Sequence, residues 1–582
     1  MKKLVFIFGL CVFQANAQLS FEENRESLLD VEGIYGDDDI GAGVSFYDFN
    51  GDGWDDITMA SSETRDFQFY ENQEGQFVSV NLGISSGGLE ARQAMWVDFD
   101  NDGDLDFFST SDEGRRCWLF ENNLEDGFTD ITVSAGIAEE SFNYWGASWG
   151  DIDNDGLLDL FLSVRDLGQV QPNLLYHNNG DGTFTDISVD AGISPIGFIS
   201  FCSSFFDFDN DGDQDIYVAN DKDETFNNLY RNNGDGTFIE FSPDTNSNLH
   251  MGAMSTTIDD YDNDGWLDIY VTNLYPPFLD DAVQGNAFLQ NEGGVFSNIA
   301  GDNGARFDSI GWGAVFLDAD NDGDKDLYVS GSRIGSQGFL SAAFYQNDGN
   351  GDFTIPFGAG FETDFRRSYS NAIGDIQNDG LPDIIVLNIE DQPMFIWENT
   401  TTNENNWLKV KLEGTVSNRM GIGSKIKVIT GDTVNYGYTL CGEGYIAQNS
   451  GSEFFGIGNA TTIDAVEVHW LSGIVDRIEN VDVNQTLTII EGDNPLSVED
   501  DVSSLDRIQI IPNPVKSSLH VEFPTSLLNG RLTIYDTTGR KLIEEPINSS
   551  LTNLSVAYLQ SGLYIMNARN GDLSWSGRFV KE

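Results

Sequence analysis

A nine-residue acidic pattern, Asp-x-Asp-x-Asp-Gly-x-x-Asp followed by an apolar residue, recurs seven times along this chain. The copies begin at Asp48, Asp98, Asp151, Asp207, Asp260, Asp318 and Asp375, so successive starts lie 50, 53, 56, 53, 58 and 57 residues apart. Self-similarity at such a period marks a repeat architecture, in which each copy is one supersecondary unit that needs its neighbours to bury a core.

The pattern itself reads as a cation loop. Carboxylates at alternate positions of a tight loop can turn inward onto one hard ion, and calcium takes about 6–8 oxygen ligands. Position 1 is the Asp that begins each copy. Position 3 is Asn50, Asp100, Asp153, Asp209, Asp262 and Asp320, with Gln377 in the last copy. Position 5 is Asp52, Asp102, Asp155, Asp211, Asp264, Asp322 and Asp379. Position 9 is Asp56, Asp106, Asp159, Asp215, Asp268, Asp326 and Asp383. Position 7 would add a backbone carbonyl, from Trp54, Asp104, Leu157, Asp213, Trp266, Asp324 and Leu381. The Gly at position 6 reaches positive φ without steric cost. Without a cation the crowded carboxylates would repel one another.

An EF-hand would need a Glu at position 12, between helices. That position is Met59, Ser109, Leu162, Val218, Val271, Val329 and Val386. The residues after position 9, such as Asp215-Ile216-Tyr217-Val218, are those of a strand. Magnesium, which prefers near-ideal octahedra and keeps its waters, fits less well than calcium. Up to seven calcium ions are expected, one per repeat, with the site at Asp375 the weakest because of Gln377 and Pro382.

A second signature fixes the fold. Leu175 to Phe184 reads Leu-Tyr-His-Asn-Asn-Gly-Asp-Gly-Thr-Phe, and Leu229 to Phe238 repeats it with Arg231 in place of the histidine. Asn-Gly-Asp-Gly between strand-like runs signals a hairpin. Each unit is then strand, cation loop, strand, connection, strand, hairpin, strand, which is the plan of a propeller blade. The expected class is all-β: a seven-bladed β-propeller over 18–403, a small β-rich domain over 404–491, a linker over 492–507, and an Ig-like β-sandwich over 508–582. The seventh unit lacks its own fourth strand. The segment Phe21 to Ile34 matches Phe184 to Ile193 in pattern and is expected to supply it, so that deleting 18–34 should destabilise the ring.

Charge and targeting signals bound the function. The chain has 29 Lys plus Arg against 96 Asp plus Glu, a net charge of −67. Seven bound Ca²⁺ would offset only 14 of these charges. This argues against binding nucleic acid or an anionic membrane through overall charge, and leaves cationic partners or neutral polymers. Residues 508–582 hold seven basic and six acidic residues, a break that marks a module with a separate task. Lys2 and Lys3 before an apolar run, then Ala15-Asn16-Ala17, read as a signal peptide over 1–17. No later stretch is apolar enough to span a membrane. Cys117, Cys202 and Cys441 are too few and odd for a disulfide framework.

These residues resemble known families. The acidic loops are similar to the FG-GAP/VCBS repeats of calcium-binding propellers. Asn406-Trp407-Leu408, Ser417 to Gly423, Gly444-Tyr445, Gln448-Asn449-Ser450 and His469 to Gly473 resemble the ASPIC/UnbV domain. The layout is that of cartilage-acidic-protein-like chains. Pro512-Asn513-Pro514, Asp536 to Arg540, Leu559 to Tyr564 and Val580-Lys581-Glu582 resemble a type IX secretion sorting domain of Bacteroidetes. The resemblance implies export across both membranes, contact with the type IX machinery through 508–582, and a secreted or cell-surface location.

Nothing points to catalysis. His177, His250, His469 and His520 form no zinc spacing, and no nucleophile motif or phosphate loop is present. His177 reads as a surface strand residue. The expected role is a non-catalytic adhesion or ligand-binding module for an extracellular glycan or protein. The alternative is a polysaccharide-active hydrolase or lyase, whose carboxylate pair only geometry would reveal. Trp96, Trp145, Trp149 and Trp312 precede the loops, where they would either pack between blades or stack on sugars.

Overall fold

In a computed structural model, the structure describes residues 19–29, 40–496 and 509–581, apart from short stretches at 63, 113–115, 138–141, 223–224, 275–281, 333–339, 390–391, 512–514, 523–529, 537–539, 550, 561 and 571–572. The signal peptide, residues 30–34 of the closing segment, residues 497–507 of the linker and Pro512-Asn513-Pro514 lie outside the described residues. The chain divides into two compact units, Met1–Pro495 and Leu496–Glu582.

Seven four-stranded antiparallel sheets fill most of the first unit. The third is typical: Tyr144–Gly150, Asp159–Val164, Leu174–Asn178 and Phe184–Asp186 pair in chain order. In every sheet the acidic loop joins the first strand to the second, and the ninth motif residue opens the second strand. The last sheet is completed from the other end of the chain. Phe21–Glu23 pairs antiparallel with Phe395–Asn399, Phe21 opposite Asn399 and Glu23 opposite Trp397. Phe21 packs with Phe344 and Phe361, which seats the strand.

Hydrogen bonds link each sheet to the next. Gly43 N–H donates to Arg92 O, Thr110 Oγ1 to Trp145 O at 2.7 Å, and Ser204 Oγ lies 2.7 Å from Thr256 Oγ1. Ser148 and Ser203 make the link from third to fourth. Thr257 Oγ1 donates to Ala314 O, Ser330 Oγ to Tyr369 O, and Val44 N–H to Ser370 Oγ of the last sheet. The unit is therefore propeller-like, with apolar cores between adjacent sheets. Trp96 lies in one of them with Phe49, Phe69 and Phe107, and Trp149 in the next with Phe108 and Phe184.

Residues 406–490 add two sheets. Asn406–Glu413 lies between Ser452–Gly458 and, in parallel, Gln485–Ile490; Lys425–Thr430 lies between Thr433–Tyr438 and Thr462–His469. Leu408, Val410, Ile426, Val466, Val468 and Trp470 form the core between them. This domain is not a separate body, because it belongs to the same compact unit as the repeats. Its chain also runs past 491: Arg477 N–H bonds to Asn494 O, and Asn494 N–H to Asp476 Oδ1.

One segment of this domain fills the axis of the ring. Between Leu440 and Ser452 the backbone bonds to the first strands of several sheets. Trp149 N–H donates to Cys441 O at 2.9 Å, Gly444 N–H to Thr256 O at 2.7 Å, Gln448 N–H to Val44 O at 3.1 Å and Ser450 N–H to Ile373 O at 2.9 Å. Tyr445, at its tip, is fully buried among Trp145, Phe201, Trp312 and Tyr369. A Cβ on Gly442 would stand 2.4 Å from Ala147 O, so the segment can pass only with glycine there. The sugar-stacking alternative for the tryptophans is overturned: Trp96, Trp145, Trp149 and Trp312 are all buried, two between sheets and two against the axial segment.

The second unit holds a three-stranded sheet, with Ser518–Glu522 between Gln509–Ile511 and Leu551–Ser555, and a four-stranded sheet led by Arg531–Asp536 and Gly562–Asn570. Val515, Leu519, Val521, Leu532, Ile534 and Met566 are among the residues of its core.

Candidate metal centres

Each acidic loop is built by hydrogen bonds that its own motif supplies. The position-1 carboxylate accepts the N–H groups of positions 5 and 6: Asp155 and Gly156 on Asp151, Asp264 and Gly265 on Asp260, and Asp379 and Gly380 on Asp375. The glycine at position 6 has φ between +84° and +98° in all seven, which is why glycine stands there. The position-5 carboxylate caps the N–H of position 7. Asp52 holds Trp54, Asp102 holds Asp104, Asp155 holds Leu157, Asp211 holds Asp213, Asp264 holds Trp266, Asp322 holds Asp324 and Asp379 holds Leu381. Position 9 is pinned from both sides. Asp159 takes Asn178 N–H on Oδ1 and Ile152 N–H on Oδ2, and Asp56, Asp106, Asp215, Asp268, Asp326 and Asp383 do likewise with their own partners.

Positions 1, 3 and 9 converge. In the second to fifth loops one oxygen of each of these residues lies within 4.8 Å of the other two: Asp98, Asp100 and Asp106; Asp151, Asp153 and Asp159; Asp207, Asp209 and Asp215; Asp260, Asp262 and Asp268. Position 5 joins such a group in the third loop, where Asp155 and Asp153 lie with His177. In the first, sixth and seventh loops the same internal hydrogen bonds hold Asp48, Asp318 and Asp375. Asn50 and Gln377 stand at position 3 in the first and seventh.

The electrostatics are those of a site short of positive charge. Burial, with Asp100 and Asp102 beside it, pushes the Asp98 carboxyl up to about 7. Burial also lifts Asp56 to about 8, Asp106 to about 9, and Asp151 and Asp260 to about 7. It holds Asp159, Asp215, Asp268, Asp318, Asp326 and Asp383 well above the carboxylate range. Asp98 Oδ1, Asp104 Oδ1 and Asp209 Oδ1 are buried without a hydrogen-bond partner. An all-oxygen donor set with orphaned buried carboxylate atoms fits a hard divalent cation.

Two features of the site escaped the sequence reading. The first is a relay of asparagines at position 4, all left-handed with φ between +54° and +60°. Asn101 Nδ2 donates to Gly156 O, Asn210 to Gly265 O, Asn263 to Gly323 O, Asn321 to Gly380 O and Asn378 to Gly53 O. Asn154 reaches Asp213 Oδ1 instead. Each loop thus grips the next around the ring, except the first, where Gly51 replaces asparagine. Its signal was an Asn in six of seven copies, but its partner lies a full repeat away.

The second feature is the basic underside of the 406–490 domain. Lys409 Nζ lies 2.9 Å from Asp375 Oδ2 and 2.6 Å from Asn378 Oδ1. Lys411 Nζ lies 3.3 Å from Asp48 Oδ2, and Arg419 Nε 3.9 Å from Asp98 Oδ2. Lys425 bonds Asn210 Oδ1, and the Arg419 and Tyr436 N–H groups bond Asn101 Oδ1 and Asn263 Oδ1. This domain therefore sits on the face that carries the cation loops. Beside it, Asp259, Lys325, Glu443 and Glu453 line a cavity, where burial lifts Glu443 to about 7 and Glu453 to about 8.

Comparison with known proteins agrees with this anatomy. The FG-GAP-like repeat profile matches residues 48–109, 98–162, 163–218 and 207–271; the ASPIC and UnbV profile matches 414–496; and a secretion system C-terminal sorting domain covers 509–582. Cartilage acidic protein 1 of Xenopus tropicalis is 23% identical over 500 residues, 77% of this chain and 73% of that one. The Homo sapiens protein is 23% identical over 507 residues, 77% of this chain and 72% of its own. Among solved structures, PorZ of Porphyromonas gingivalis, a surface component of the type IX secretion system, aligns over 93% of this chain and 81% of its own at 11% identity and TM-score 0.27. The exotype rhamnogalacturonan lyase YesX aligns over 81% and 91% at 11% identity and TM-score 0.31. At these scores neither likeness bears on function. The sorting domain marks a secreted or cell-surface protein, and among the described residues no helix is long and apolar enough to cross a membrane.

Proposed function

We propose that this chain, an extracellular FG-GAP-repeat protein with an ASPIC/UnbV domain and a secretion-sorting tail, is a calcium-loaded, non-catalytic binding protein. Its repeats form a seven-bladed propeller, and calcium fills the acidic loops as a structural cofactor. The observation that carries this reading is the convergence of the carboxylates at positions 1, 3 and 9, the ninth buried in each of these loops, with Asp98 Oδ1 and Asp209 Oδ1 reached by no protein donor. The ions would come from outside the cell, where even modules with Kd of about 10⁻⁴–10⁻³ M are filled.

The loop face is occupied by the 406–490 domain, and the axis by its Leu440–Ser452 segment. A ligand is left with the opposite ends of the strands, where the connections between second and third strands emerge. There Leu167 and Val170 are exposed on that connection of the third sheet and Ile196 on the one that leads from this sheet to the fourth, the two joined by Asp166 N–H to Phe198 O. We assign adhesion to a glycan or protein to this face, because exposed apolar side chains grouped on rigidly held loops are what partner recognition uses. Surface polymers and proteins captured on the calcium-loaded protein should be lost when Leu167→Ser and Ile196→Ser are combined. Capture unchanged by that pair, or release of reducing sugar from the captured polymer, would refute the assignment.

A further inference from the structure

The cation loops differ at one position that lies outside the acidic motif. The third strand of each sheet ends in an asparagine whose N–H is held by the ninth motif residue; in the third sheet Asn178 N–H meets Asp159 Oδ1 at 2.8 Å. The residue just before that asparagine is thereby carried alongside the position-3 carboxylate. It is Glu71, Glu121, Arg231, Gln290, Gln346 or Glu398 in six sheets. In the fifth, Gln290 Nε2 donates to Asp262 Oδ2 at 2.8 Å. In the third sheet it is His177, whose Nε2 lies 3.2 Å from Asp153 Oδ2. One ligand atom each of His177, Asp153 and Asp155 lies within 4.8 Å of the others.

We propose that His177, Asp153 and Asp155 make the third loop a site for a zinc-class divalent ion, distinct in selectivity from the all-oxygen loops. Imidazole nitrogen is a ligand of Zn, Ni, Cu and Fe ions, whereas calcium takes oxygen. Zinc binds histidine nitrogen and carboxylate oxygen at about 2.0–2.2 Å, and a tetrahedron of such bonds sets its ligand atoms about 3.4 Å apart. The 3.2 Å between His177 Nε2 and Asp153 Oδ2 is close to that edge. Asp153 and Asp155 are exposed and His177 half-buried, so an ion has access from solvent and room for water as a further ligand. The site shares two aspartates with the calcium reading but does not depend on it, and zinc and calcium would compete for this one loop.

The experiment is a titration of the full-length, metal-stripped protein with Zn²⁺, and with Co²⁺ followed by visible absorption, each with and without calcium. His177→Gln installs the residue that the fifth sheet carries naturally, and His177→Arg the residue of the fourth. The wild type should bind zinc at one site that both variants weaken at least about tenfold, with the cobalt bands lost, while calcium stoichiometry stays unchanged. Zinc affinity undiminished in either variant, or no such site in the wild type, would overturn the proposal. Absence of calcium binding would instead strike the structural-cofactor reading, with zinc still titratable.

Discussion

Replacing Tyr445 by alanine should loosen the whole ring, although the residue belongs to the domain that follows it. Its side chain is fully buried, with ring centroids 5.0 Å from Trp312 and 5.9 Å from Phe201. Its hydroxyl donates to Ile40 O at 2.9 Å and accepts from Trp145 Nε1 at 3.3 Å. Emptying an aromatic site of this kind costs about 3–5 kcal/mol. A unit the size of Met1–Pro495 has an unfolding entropy of about 1 kcal/mol/K. Tyr445→Ala should therefore lower Tm by about 3–5 °C in calcium, while Tyr445→Phe, which loses only hydrogen bonds, should lower it by about 1 °C. Calorimetry on the full chain measures both. A shift within 1 °C for the alanine variant would refute the claim that the axial segment is part of the ring's core.

The asparagine relay is tested at Asn321, where φ is +56°. Alanine there should cost about 2–3 kcal/mol, from the left-handed backbone and the lost bond to Gly380 O. Glycine, which the first loop carries naturally, should cost about 1 kcal/mol in the same melting assay; equal losses would contradict the backbone account. Glu491 supplies a pH test. Burial raises its carboxyl, but hydrogen bonds from Ser472 and from the Thr415, Val416 and Ser417 N–H groups outweigh this and hold it below the usual range. A depressed carboxyl contributes its full stability above the unfolded value and loses it as pH falls through the folded one. Glu491→Gln should thus destabilise at pH 7, and its deficit should shrink below about pH 4; a pH-independent deficit would refute it.

Much of this architecture was legible in the chain. The acidic loops, the strands on either side and the hairpins follow from local chemistry: Gly103 turns its own loop at φ +97°, and Asn178 Oδ1 takes the N–H of Gly180 two residues on. The closing strand was readable because Phe21 repeats the setting of Phe184. The axial segment was not. Between Leu440 and Ser452 there is no periodicity to read, and Gln448 finds Val44 and Trp96 only after hundreds of intervening residues have folded. Trp145 and Trp312 announced burial, yet only the ring shows that they enclose Tyr445. The candidate site divides in the same way. Its carboxylates were visible as a motif, whereas the cations of Lys409, Lys411 and Arg419 come from another domain and His177 from another strand of the same sheet.

On the proposed function, calcium holds the acidic loops in shape. A site with Kd of about 10⁻⁴ M in 2 mM calcium adds about 1.8 kcal/mol to stability. Six such sites together would add about 11 kcal/mol, or about 10 °C in Tm for this unit. The direct measurement is calcium bound at equilibrium, by dialysis and elemental analysis, on the same sample melted with calcium and with EDTA. Six or seven ions should be bound per chain, with the loop at Asp375 the last to fill, and Tm should fall by about 10 °C on chelation. A chain that binds no calcium and melts at one temperature in both buffers would contradict it.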